Sequence, residues 1–365
     1  MKNAKVLSAL GLMSLASTAA LAASGPTLGS VLDASGVKVS GNVAASFRQN
    51  ANNAQNNFQV DQALLSIAYQ PKEGYGAVVD VASGDYNGQG GSVGNPSSGV
   101  KLSQAFLQYK SGALTVQGGR FYTAAGYEVF PVTGNLFVSR SLTFGQESTY
   151  HTGLRANYAV SDSLSVVAGV NDGLFDNAAA LNAMGTNAGL DNGTDVPATT
   201  GHATGLDNQD SVTKNKTLEL GVNWALTSDL SLALTGYTGK TQDGSSVASG
   251  RKQSLYSLVA SYNVTKDLAV AVNADVVNTG VNNTDADKAT NIAVYATYAV
   301  SDKVKAGLRV EELNPKGSGN NTGAVAAVVS YAAAKNFDIR TELSDVDPQG
   351  QKRSISGAVQ GVLKF

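Results

Sequence analysis

No cysteine occurs anywhere in the 365 residues, which excludes disulfides, thiolate metal sites and a cysteine nucleophile. Histidine is limited to His151 and His202. With no His-x-x-x-His pair, a histidine-rich metal site is excluded as well, and no metal or cofactor is expected. Charge is sparse (15%) and nearly balanced, so there is no electrostatic footprint for a nucleic-acid partner. Proline is scarce (7). Beyond the first two dozen residues no apolar run approaches the about 18 to 20 residues that a helical membrane span requires.

What is present begins with MKNAKVLSALGLMSLASTAALAA: two lysines, an apolar run from Val6 to Leu15 and a small-residue site at Ala20-Leu21-Ala22. This is the pattern of a secretory signal over residues 1–22. Removing it leaves 24 basic against 28 acidic side chains. A large exported chain without cysteine must close its fold by backbone pairing and packing.

Residues 157–170 (NYAVSDSLSVVAGV) and 297–310 (TYAVSDKVKAGLRV) share one device, an aromatic, a short polar turn and an alternating strand. It recurs in AYQPKEGYGAVVDV, QYKSGALTVQGG, NWALTSDLSLALTG, SYNVTKDLAVAVNADV and SYAAAKNFDIRTEL. Seven hairpins supply fourteen strands, and Val37 to Phe47 and Ser354 to Phe365 bring the total to sixteen. The connections on the other side are mostly longer and rich in Asn, Asp and Gly, among them 123–148 and 173–213. Strands of 9 to 13 residues suit a tilted bilayer crossing of about 9 to 11 residues, and short turns opposite long loops are the asymmetry of a bacterial barrel. The expected fold is therefore an all-β transmembrane antiparallel barrel of about sixteen strands over residues 37–365, with short periplasmic turns and long extracellular loops. A short periplasmic leader (23–36) precedes it, and Leu28, Val31 and Leu32 ahead of Gly36 have helical spacing.

Period-two alternation assigns the faces. Leu218, Leu220, Val222, Trp224 and Leu226 oppose Glu219, Gly221 and Asn223, and Val304, Ala306, Leu308 and Val310 oppose Lys305, Arg309 and Glu311. Phe337, Ile339 and Leu343 likewise oppose Asp338, Arg340 and Glu342. Charge on a lipid face costs about 2 to 4 kcal/mol at the midplane, so the charged face looks into a wet lumen. Lys38, Arg48, Arg155, Asp80 and Asp275 belong to the same inner set, where the two signs nearly cancel. Every strand descending to a tight turn carries an aromatic near its lower end: Tyr69, Tyr109, Tyr158, Trp224, Tyr262, Tyr298 and Tyr331, with Phe365 ending the last strand. A fixed height for amphipathic rings is expected of an interfacial girdle in the outer-membrane lipid. The ending ISGAVQGVLKF places Ile355, Gly357, Val359, Gly361, Leu363 and Phe365 on one face and resembles the terminal signal read by the barrel-assembly machinery.

The elements QAFLQYKSG, GGRFYTAAGYE, Asn135, SRS at 139–141, HTGLRANY and VNDG at 170–173 resemble, in that order, the OmpL-like family of β-barrel porins. The resemblance implies an outer-membrane pore for small solutes, with no catalytic residue, and leaves a homotrimer open. By similarity to general porins, loop 123–148 would fold into the barrel and narrow it. Glu128, Arg140 and Glu147 lie in that loop, Arg120 precedes it, and His151 and Arg155 follow it on the lumen face. Acid facing base there would set up a transverse field; a salt bridge pinning the loop is the plainer alternative. Arg120 faces lipid by strict alternation from Leu114 unless Gly118-Gly119 forms a bulge.

Two rival functions follow from the same residues. A plugged barrel could act as an adhesin through loop 173–213, whose Asp191, Asp195, Asp207 and Asp210 lack the spacing of a calcium loop. A barrel hydrolase would need His151, which faces inward, away from membrane lipid. TGKT at 238–241 lacks the leading glycine of a phosphate loop.

Overall fold

A computed structural model of the chain describes residues 32, 34–50, 55–84, 100–174, 215–240, 250–280, 288–317 and 321–365. Sixteen strands follow in order: β1 (Val37–Asn50), β2 (Gln55–Tyr69), β3 (Gly74–Ser83), β4 (Lys101–Ser111), β5 (Leu114–Tyr122), β6 (Tyr150–Ala159), β7 (Leu164–Asn171), β8 (Thr217–Ala225), β9 (Leu230–Lys240), β10 (Lys252–Asn263), β11 (Leu268–Asn278), β12 (Lys288–Ala299), β13 (Val304–Pro315), β14 (Thr322–Ala334), β15 (Phe337–Pro348) and β16 (Ser354–Lys364). Each pairs antiparallel with its sequence neighbours, and β1 pairs β16 to close the barrel. Closure leaves no unpaired strand edge, the condition for a sheet in hydrocarbon. The expected class and strand number hold. Lengths range more widely than the alternation suggested, from 8 residues in β7 to 15 in β2.

At three of the seven repeats the turn is built on a hydroxyl. Thr265 Oγ1 accepts from the amides of Asp267 (3.2 Å) and Leu268 (3.0 Å). Thr227 Oγ1 does the same for Asp229 and Leu230, and Ser301 Oγ for Lys303 and Val304. The side-chain oxygen satisfies amides that the reversal removes from the ladder. Above the turns, the eight strand-end aromatics have a common exposure, between 42% (Tyr109) and 59% (Phe365). Several lie directly opposite a strand-opening Leu or Val, as in Tyr158 with Leu114, Trp224 with Leu164 and Tyr331 with Val304.

Outward positions are apolar and exposed, whereas the buried polar and charged side chains lie on the inner parity. The core is therefore in the lumen, and the segment between β5 and β6 packs into it. At the chain start, Leu32, Ala34 and Ser35 are helical, and Ser35 Oγ accepts from Val37 N at the entry to β1. Residues 1–22, expected to form a signal, lie outside the described residues, as do Leu28, Val31, His202 and the four aspartates of loop 173–213.

Candidate functional site: the loop-filled lumen

Between Tyr122 and Tyr150 the chain folds back into the barrel as loop 3, with two 3-10 turns, Val132–Gly134 and Phe144–Gln146. It crosses the lumen rather than following one wall. Gln62 of β2 accepts from Val132 N (3.0 Å) and donates to the Phe130 carbonyl (3.2 Å). On the far side Tyr237 (β9), Ser257 (β10) and Asn273 (β11) accept from the amides of Ala124, Gly126 and Tyr127. Gln62 reaches the loop because a register shift in β1–β2 leaves Asp61 unpaired and lets Asp61 and Gln62 both point inward.

Two ion-pair groups hold the loop. At its root Arg155 and Glu219 form a two-point pair (2.7 and 3.1 Å). Arg155 Nη1 donates to the Tyr122 carbonyl, and the Tyr237 hydroxyl donates to Glu219. In mid-loop Arg309 uses all five of its guanidinium donors. Nε meets Glu311 Oε1 (2.6 Å), and Nη1 meets Glu128 Oε1 and the Ser139 carbonyl (both 2.9 Å). Nη2 meets Ser139 Oγ (2.9 Å) and the Arg140 carbonyl (3.2 Å). Glu128 Oε2 accepts from Ser141 N, Glu311 from Leu142 N, and Glu342 from the amides of Val138 and Ser139. Buried carboxylates with this many donors are compensated for lost hydration.

Apolar contacts complete the seat. Phe137 packs on Ala271, Ala293, Tyr295, Ala326 and Val328, and a Cβ at Gly307 would lie 2.8 Å from Leu136 and 3.1 Å from the Phe137 ring. Leu142 packs on Ala289, Leu313 and Ala324. Asn135 clasps the loop internally, accepting from Val129 N and donating to the carbonyls of Val129 and Pro131.

The other sequence-predicted residues divide. Arg140 turns back on the loop, donating to the carbonyls of Val129 and Phe130 (2.7 and 2.6 Å); burial lowers its basicity, opposed by Glu128. Glu147 is buried beside Asp275, and burial, reinforced by that carboxylate, raises its pKa well above the ordinary range. His151 is fully buried and stacks on Tyr237 at 4.4 Å. Arg340 donates to the Val132 carbonyl and to Gln360. Arg120 stands apart from this cluster. The register runs through Gly118-Gly119 without a shift and places Arg120 opposite Ala105 and Thr152, on the outward row with Leu114. Its guanidinium sits 3.5 Å over the Tyr150 ring. Sequence reading did not single out Gln62, Tyr237, Tyr295 or Gly307. For the two tyrosines a signal was present, an aromatic on the inner parity and away from the strand's lower end.

The family model described as "Putative beta-barrel porin-2, OmpL-like" matches residues 27–360. The chain belongs to this family. The stretch that carried the resemblance, from QAFLQYKSG to VNDG, is the stretch that builds and anchors loop 3. No curated protein matches the sequence. Solved structures with the same fold include Pseudomonas putida OprB (14% identity, 92% of this chain, 95% of that one, TM-score 0.64). Similar folds are the trimer form of in-vitro folded Vibrio cholerae OmpT (14%, 90% and 99%, 0.60) and a mutant of the Rh. blastica porin (13%, 90% and 100%, 0.56). These likenesses establish the fold, a closed antiparallel β-barrel.

Proposed function

We propose that the protein is a passive channel of the bacterial outer membrane for small hydrophilic solutes and ions, constricted by loop 3. The observation that carries this reading is the Arg309 centre. Loop 3 is fixed inside a polar lumen by buried, fully bonded charges, so the passage beside it has a defined shape. Barrels of about sixteen strands enclose an aqueous channel. Several charges at this level are paired: Glu128 and Glu311 with Arg309, Glu219 with Arg155, Asp61 with Arg48. Both signs line the lumen, and the pore discriminates weakly between cations and anions. The strand-end aromatics serve as the periplasmic interfacial girdle, and the last strand as the signal for barrel assembly. No hydrolytic activity is expected, because His151 is buried against Tyr237 and faces no lipid.

Contacts of loop 3 with both β2 and β9–β11 favour a second reading, a plugged barrel that works as a surface-binding protein. Planar-bilayer conductance of purified, heat-modifiable protein in KCl separates the two. Stepwise insertions with a small reversal potential under a salt gradient are expected. Silence from folded protein would support the plugged barrel, and a reversal potential near the ideal value for one ion would overturn weak selectivity.

A further inference from the structure

Lys240 at the end of β9 and Lys252 at the start of β10 are register partners on the outward face. Their parity is that of the exposed Leu234 and Tyr256, while the alternate residues Gln253 and Leu255 are buried inward. Two like charges placed directly opposite on adjacent strands repel. Neither has an ion-pair partner among the described residues, although the neighbouring rim lysine Lys216 pairs with Asp172. The row continues round the barrel. Asn278 of β11 pairs with Lys288 of β12, and Lys316 N donates to the Lys288 carbonyl (2.8 Å). All four lysines are exposed. Toward the middle of the barrel, outward Tyr256, Leu234, Val276 and Ile292 begin the apolar belt. Lys252 lies four residues beyond Tyr256, roughly 13 Å along the strand. A cationic arc thus stands on the long-loop rim, just above the apolar surface. Glu312, outward on β13 below Lys316, and Asp345 and Asp347 on β15 are acidic and bound the arc on that side.

We infer that this arc, centred on the Lys240–Lys252 pair, is a docking site for a phosphate-bearing lipid headgroup of the outer leaflet. An ammonium pair at cross-strand spacing offers several donors to one phosphate, whose charge removes the repulsion between them. The lysine stems and the belt below them accommodate acyl chains. The inference rests on the membrane placement given above and is independent of whether the lumen conducts.

The test measures binding of lipid A with two phosphates, and of its dephosphorylated form, to folded protein in non-ionic detergent by native mass spectrometry. The parent is expected to retain the phosphorylated lipid selectively. K240Q/K252Q should weaken that binding on the order of thirtyfold, at about a factor of five per lysine. K240R/K252R should restore it, and K303Q/K305Q at the opposite end should leave it unchanged. Conductance of K240Q/K252Q should equal the parent's, which keeps this test distinct from that of the channel. Equal binding of both lipid forms, or undiminished binding to K240Q/K252Q, would overturn the inference. Displacement of the lipid by millimolar inorganic phosphate would also overturn it, by showing a site for free phosphate.

Discussion

Replacing Arg309 with alanine removes five donated hydrogen bonds and leaves Glu128 and Glu311 buried with no cation between them. Breaking a buried pair from one side costs about 3 to 5 kcal/mol. The cost falls on the seat of loop 3, because the strands of the barrel pair without it. Arg309→Ala is expected to keep heat-modifiability while loop 3 becomes cleavable by protease added to open membranes and single-channel noise increases; an uncleaved loop would contradict this. Gly126 is as demanding. Its φ is +87°, a region that L side chains avoid, and an added Cβ would lie 1.9 Å from Glu147 Oε2. Gly126→Ala should therefore expel the Glu147 carboxyl and produce the same phenotype. Glu147 also makes the seat depend on pH. A carboxyl whose pKa is raised in the folded state binds its proton more tightly there, so the seat is strongest at and below the ordinary carboxylate range, about pH 4. It weakens as pH rises through the raised value. Protease sensitivity of loop 3 should grow with pH, and Glu147→Gln should flatten that dependence; the opposite slope would exclude Glu147 as its source.

Elements were legible from sequence to the extent that their information is local. Alternation gave the inner and outer faces because side chains on a strand repeat every two residues, and Ser301 or Thr265 marked turns because the hydroxyl acts on amides two and three positions away. Arg155, Glu219, Arg309, Glu311 and Glu342 were visible as inner charges. The pairings Arg155–Glu219 and Arg309–Glu311 join charges already visible. The groups they hold in loop 3, Glu128 and the backbone of Val138 to Leu142, were not assigned to them, since those lie far along the chain. The inward pointing of Gln62 depends on a register shift against β1, which one strand cannot reveal by itself. Gly307 is comparable: on its own strand it resembles any small lumen residue, and its role exists only because Leu136 and Phe137 arrive there. The socket is testable as an element. Gly307→Leu fills the space that Phe137 occupies, so the barrel is expected to fold while loop 3 shifts and mean conductance changes. A conductance identical to the parent's would show that Phe137 does not hold the loop in place.

At the scale of the whole molecule, one seam decides whether sixteen strands become a barrel. The first strand must find the last, and the pairing runs from Asn42 with Lys364 to Asn50 with Ser356. It is extended at the periplasmic end, where Gly41 N donates to the Phe365 carbonyl (2.9 Å) and Phe365 N to the Gly41 carbonyl (3.0 Å). The Phe365 ring lies against Gly41 so closely that a Cβ there would be 2.6 Å from the ring and 2.3 Å from the Leu64 carbonyl. The final aromatic is thus both a strand-end ring like Tyr69 or Tyr331 and the group that packs across the closure. A side chain at Gly41 would push β1 from β2 and displace Phe365 together, and no alternative partner exists for a seam that must leave no edge in the membrane. At Gly357, on the same outward face of β16, a Cβ would make only ordinary contact, 3.5 Å from Leu343. Gly41→Leu is therefore expected to lower the yield of heat-modifiable barrel severely, while Gly357→Ala leaves it within error of the parent. Equal yields from the two variants would mean that closure is governed elsewhere than at this seam.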